Sequence, residues 1–320
     1  MRLLPILIAG SLAAGFLNAR TRGEISTRAV QAIPKVTLDV PSLYLEGEPF
    51  MAKVTLQAPS IEPLDLPAWA FTGEAFTVGK KQLGTRRVTE KVRLQPGQVF
   101  STSLDLGPMI AELELEPRDI TIGWTGIPEV PKVEVSWLEA AEKGIEFMDL
   151  PREQLGDYQV ALQTNRGLIW LDLWPDVAPN HVRSFLDLAY TGFYDGTTFH
   201  RVIPGFMIQG GKARAGEVAP RKLDAEFNTK RHARGVLSMA RLGHDVNSAS
   251  SEFFIMHAEN AELDGKYTAF GTMLRGDATL DAIVVTGNSR FSPSDPRGYT
   301  PTTPQVIQRA VVVKASKSRR

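Results

Sequence analysis

Residues 193–211 read FYDGTTFHRVIPGFMIQGG and gather side chains suited to one kind of chemistry. Arg201 is a permanent cation whose guanidinium presents its donors in a rigid fork. Read as a strand, HRVI places Arg201 and Ile203 on one face and His200 and Val202 on the other. Pro204-Gly205 turns the chain, and Phe206, Met207 and Gln209 then supply an aromatic wall, a conformable thioether and an amide donor. A fixed cationic donor beside an apolar pocket can favour a lone pair that develops during a reaction, with no covalent step.

Other chemistries lack their residues. There is no Cys, so thiolate nucleophiles, disulfides and cysteine-held metals are excluded. His181, His200, His232, His244 and His257 show neither HExxH nor a short ligand spacing, and neither a metal nor a cofactor is expected. Ser248, Ser250 and Ser251 lie near His244 and Asp245 without a Gly-x-Ser-x-Gly elbow and read as turn residues. Gly210, Gly211 and Gly216 surround Lys212, but no Gly-Lys pair is followed by Ser or Thr. They read as bends of a barrel rather than a phosphate loop. With 36 Lys plus Arg against 36 Asp plus Glu there is no overall field to collect polyanions, so nucleic acid is not an expected partner.

A chain of 320 residues has room for two domains, and its punctuation changes midway. Over 33–139, short runs of period two recur between Pro and Gly, among them Val36-Leu38-Val40, Val54-Leu56, Val88-Val92-Leu94, the run 100–106, Ala111-Leu113-Leu115 and Val133-Val135-Trp137. This pattern predicts a β-sandwich, weakly similar to bacterial immunoglobulin-like modules. Trp69, Phe71 and Phe76 are read as core filling rather than a recognition surface. Residues 140–155 (AAEKGIEFMDLPREQL) are expected to be a linker. A second domain over 156–314 opens with a hairpin around Asn165 to Gly167 and a helix from Pro179 that aligns Val182, Phe185, Leu186 and Ala189. Residues 288–304, rich in Ser and Pro, are expected to be a solvated loop, and 315–320 a basic tail.

The second half resembles the cyclophilin-type peptidyl-prolyl cis–trans isomerases. The resemblance rests on 193–211 and continues in order through GVLSMA at 235–240, NSASS at 247–251, FFI at 253–255, LDGKY at 263–267 and Phe270-Gly271. It implies an eight-stranded antiparallel β-barrel capped by helices and isomerisation of X–Pro bonds without cofactor or metal. It also implies Arg201 as the catalytic donor and a proline pocket of Phe206, Met207, Phe254 and Leu263. Substrate backbone would meet Gln209 and the main chain at Ala240 and Arg241, with Tyr267 as an aromatic edge. Glu252 stands where the family usually has Gln and is expected among the substrate-binding residues, either pairing with Arg201 and competing with substrate or holding the guanidinium in place. The rival expectation is a proline-loop binding module or holding chaperone with blunted catalysis.

Met1-Arg2, the apolar run 3–17 and Asn18-Ala19 before Arg20 have the order of a signal peptide spanning 1–19, with cleavage near Ala19 and retention as an anchor the alternative. The clients are therefore expected to be proline-containing polypeptides exported to a bacterial periplasm or envelope. The first domain would position them or tether the enzyme to an envelope partner.

Overall fold

The computed structural model describes residues 34–315, apart from 85–89, 114, 116–118, 128–129, 131, 218–219 and 287–297. The signal segment, most of the Ser/Pro-rich stretch and the tail beyond Ala315 thus lie outside the described residues. The chain forms two compact units, Met1–Leu138 and Glu139–Arg320.

The described strands of the first unit are β1 (Lys35–Asp39), β2 (Leu43–Leu45), β3 (Met51–Gln57), β4 (Leu64–Pro67), β5 (Phe76–Val78), β6 (Lys81–Gln82), β7 (Lys91–Leu94), β8 (Val99–Asp105), β9 (Asp119–Trp124) and β10 (Val133–Leu138). They form a three-stranded sheet in the order β1-β3-β8, a five-stranded sheet β2-β10-β9-β5-β6 and the pair β4-β7. Alternation sends Leu38, Val54 and Leu56 of one sheet and Phe76, Ile122 and Val135 of the other into a single apolar cluster. Two sheets sharing one core make a sandwich. Phe76 is fully buried and Trp69 and Phe71 pack half-buried against the same cluster.

The strand expected through Ala111 is not formed there. Asp105 at the end of β8 accepts hydrogen bonds from the backbone N–H groups of Phe50 (2.8 Å) and Gly107 (3.0 Å), turning the chain. Pro108 then starts helix α1 (Gly107–Ala111), which buries Ile110.

The segment expected to be a linker is part of the second core. Phe147 and Leu155 are completely buried, and Phe147 meets Tyr158 and Tyr190 edge-on at centroid distances of 5.1 and 5.2 Å. The intervening charges stay outside, so composition concealed an anchor. Arg152–Leu155 form the short helix α2.

The second unit continues with β11 (Tyr158–Thr164), β12 (Gly167–Leu173), helix α3 (Pro179–Tyr190), β13 (Arg201–Ile203), β14 (Met207–Gly210), β15 (Val236–Met239), β16 (Phe253–Met256), β17 (Ala269–Arg275), helix α4 (Asp277–Val284) and β18 (Ile307–Lys314). Eight strands run antiparallel in the order β13-β14-β16-β15-β17-β12-β11-β18. The sheet closes where 196–202 run against 299–307. Gly196 donates to the Ile307 carbonyl (2.7 Å), Phe199 to that of Gln305 (2.8 Å) and Val202 to that of Tyr299 (2.9 Å). Part of the stretch expected to be a solvated loop therefore seals the barrel, and Pro301 is buried in it.

Alternation sorts these strands into two apolar sets. Val202, Ile208, Leu237, Met239, Phe253 and Ile255 point into the main core with α3 and α4. Their neighbours Ile203, Met207, Val236, Phe254 and Met256 build a second, smaller cluster with Ala240, Leu263 and Tyr267.

Helix α3 has no capping side chain at Ala178. Glu226 supplies one from a distant loop, accepting from the N–H groups of Asn180 (3.1 Å) and His181 (3.0 Å) and lying 2.7 Å from His181 Nδ1. Burial pushes its carboxyl up, but the bonds from His181 and Asn180 outweigh burial and hold it below the usual carboxylate range. A depressed folded-state pKa stabilises above the unfolded value of about 4.3 and loses that contribution as pH falls through the folded value. Glu226→Gln is expected to cost about 1–2 kcal/mol at pH 7 in denaturant unfolding. The gap to wild type should narrow on acidification below pH ~4; a gap independent of pH would contradict this.

Candidate active site

The smaller cluster floors an open cleft of about 170 Å³. Arg201 on β13 and Met207 and Gln209 on β14 form one wall, because the Pro204-Gly205 turn pairs Arg201 with Gln209 and Ile203 with Met207. Gly205 has φ +74°, a left-handed conformation that favours glycine, and its N–H donates to His257 Nδ1 at 3.0 Å. Phe206 stands on the turn. Phe254 comes from β16, directly opposite Gln209.

The other wall is Ala240, Arg241, Leu263 and Tyr267. Asn260 accepts from the Glu262 N–H and starts a short turn carrying Leu263, whose carbonyl accepts from the Tyr267 N–H at 3.2 Å. Tyr267 meets Phe254 edge-on at 5.7 Å, and the Arg241 guanidinium lies over the Tyr267 ring at 4.6 Å. Behind Phe254, buried His232 stacks at 6.1 Å, held by Asp264 Oδ1 (2.9 Å) and Ser238 Oγ (3.0 Å).

The Arg201 guanidinium is held on several sides. Nη1 donates to Gln209 Oε1 at 3.1 Å and lies 3.9 Å from Met207 Sδ; Cζ lies 6.0 Å from the Phe206 centroid and 5.5 Å from that of Tyr299. Gln209 Nε2 in turn donates to Glu252 Oε2 at 2.8 Å, and that oxygen lies 3.3 Å from His200 Nε2. Glu252 thus reaches Arg201 through the Gln209 amide and not by the direct pairing expected from sequence, and it does not line the cleft. Gly211 makes this possible. A Cβ there would fall 2.4 Å from the Ser251 carbonyl oxygen, so only glycine lets the Ser251-Glu252 backbone approach β14. Burial pushes the Glu252 carboxyl up, but the hydrogen bond and charge of His200, with the Gln209 amide, outweigh it and hold the carboxyl below its usual range.

The structure brings Arg201, Phe206, Met207, Gln209, Ala240, Arg241, Phe254, Leu263 and Tyr267 to one cleft and sets Glu252 one residue behind it. Sequence reasoning missed His200 as the partner of Glu252, and it missed Tyr299. The signal for His200 was its place beside Arg201; for Tyr299 it was a lone aromatic in a polar, proline-rich stretch. Such an arrangement can seat a small apolar ring while presenting a cationic donor at its edge.

The family model "Cyclophilin type peptidyl-prolyl cis-trans isomerase/CLD" matches residues 159–312. A peptidyl-prolyl cis-trans isomerase of Synechococcus elongatus is 42% identical over 142 residues, which are 40% of this chain and 97% of that protein. The chain belongs to the cyclophilin-type peptidyl-prolyl cis–trans isomerases. Peptidyl-prolyl cis-trans isomerase A of Dickeya dadantii is 41% identical over 48% of this chain and 84% of its own length. A crystal structure of a Cryptosporidium parvum cyclophilin in the presence of the dipeptide Ala-Pro shares 29% identity over 50% of this chain and 99% of its own, with a TM-score of 0.44. The cyclophilin match lies wholly within the second unit and includes every residue that lines the cleft.

Proposed function

We propose that the cyclophilin unit isomerises X–Pro bonds of exported polypeptides by electrostatic stabilisation of the twisted amide, with Arg201 as the donor. The barrier is about 18–20 kcal/mol because rotation destroys amide resonance, and the twisted nitrogen regains a basic lone pair. In this reading Phe206, Met207, Phe254 and Leu263 hold the proline ring. Gln209 and the main chain at Ala240 and Arg241 hold the flanking backbone, and Tyr267 closes the edge. The observation that carries the reading is the guanidinium fixed at the lip of an apolar cleft. A donor already oriented before substrate arrives need not reorganise during the rotation. The restriction to exported clients, and a tethering role for the first unit at an envelope partner, rest on the apolar run at 3–17 alone.

In an isomerisation assay on a short X–Pro peptide, Arg201→Ala is expected to lower kcat/KM by roughly ten- to a hundredfold, the scale of one charge-assisted hydrogen bond. Equal rates would instead favour a module that grips proline loops without catalysis.

Glu252 is read as a brake on the same donor, because its negative charge lies behind the amide that Arg201 uses. Glu252→Gln keeps an acceptor for Gln209 and removes that charge. It is expected to raise kcat/KM by a factor of about two to three, as for a charge several Å away in a water-like medium. An unchanged or lower value counts against this role.

A further inference from the structure

Tyr299 lies outside every block that carries the cyclophilin resemblance, yet its ring faces the guanidinium. The Arg201 Cζ is 5.5 Å from the Tyr299 centroid, within the range in which a cation is attracted to the negative face of an aromatic ring. Two backbone features place the ring there. Gly298 adopts φ +64°, a left-handed conformation that favours glycine, immediately before Tyr299. The Tyr299 carbonyl then accepts from the Val202 N–H at 2.9 Å, so Tyr299 is tied to the strand residue that follows Arg201. On another side Arg201 meets the Phe206 ring at 6.0 Å, and Nη1 is held by Gln209 at 3.1 Å.

We infer that Tyr299 is a positioning residue of the isomerase: its ring face holds the Arg201 guanidinium in the orientation from which it donates to the substrate. Tyr299 does not line the cleft, so it acts on the donor and not on the proline ring. A long arginine side chain loses much rotamer freedom when it is fixed. A ring supplied by the barrel seam meets that cost before substrate binds, and an aromatic face carries no negative charge to damp the cation. The described stretch from Gly298 to β18 thereby takes part in supporting the site. This inference rests on the reading of Arg201 as the donor.

The test is kcat and KM of the full chain on a short X–Pro peptide, with circular dichroism to confirm that each variant is folded. Tyr299→Phe keeps the ring face and is expected to retain at least half of the wild-type kcat. Tyr299→Leu, which keeps apolar bulk without a π face, should lower kcat by roughly three- to tenfold with KM changed less than twofold. Stepwise fluorination of the ring in Tyr299→Phe withdraws electron density at almost constant shape. It should lower kcat in steps, and a merely structural ring would not respond in that way. A wild-type kcat in Tyr299→Leu, or a flat fluorination series, while Arg201→Ala is slow, overturns this inference alone. A wild-type rate in Arg201→Ala overturns the donor reading and the inference together.

Discussion

A guanidinium must stay charged, half out of water and nearly motionless at the edge of an apolar cleft. That constraint shapes the second unit more than any other. Among the described residues, Gln209 Oε1 accepts from Arg201, and the rings of Phe206 and Tyr299 face its guanidinium. The carboxylate of Glu252 is kept one residue back, behind the Gln209 amide. A direct Glu252–Arg201 salt bridge would hold the cation firmly but would occupy N–H groups that the proposed mechanism uses. The Gln209 amide instead accepts from the guanidinium and donates to the Glu252 carboxylate.

The barrel strands contribute to this setting through period-two alternation. In β14 and β16 every second residue, Ile208, Phe253 and Ile255, belongs to the main core, and the residues between them, Met207, Phe254 and Met256, belong to the cleft cluster. A register slip of one residue in either strand would exchange the two sets and destroy core and cleft together. The Met207 and Phe254 side of the cleft thus stands on the same strands as the core beneath it. His232 stacked behind Phe254 extends that support with a buried hydrogen-bonded ring.

Legibility in the sequence followed the range of the interactions. The stretch from His200 to Gln209 could be read because a strand, a Pro-Gly turn and a second strand place its side chains by local geometry. The face of α3 was legible for the same reason, since 3.6-residue spacing aligns Val182, Phe185, Leu186 and Ala189. The cleft wall at Phe254, Leu263 and Tyr267 was reached only through resemblance to a family, as no local pattern ties those residues to Arg201. What escaped depended on contacts between distant segments. Phe147 looked like part of a charged linker because its partners Tyr158 and Tyr190 belong to other elements. The direct pairing expected between Glu252 and Arg201 overlooked Gln209, whose length lets it stand between them. Tyr299 was hidden in a stretch whose composition reads as loop, although its backbone completes the barrel seam.

The most direct measurement is a crystal structure of the full chain with a short X–Pro peptide bound. The account requires the proline ring to rest against Phe206, Met207, Phe254 and Leu263, with an Arg201 N–H within about 3 Å of the prolyl nitrogen or the adjoining carbonyl oxygen. A proline ring seated in this cleft with the guanidinium turned away from the imide bond, or a peptide bound elsewhere on the barrel, would contradict it.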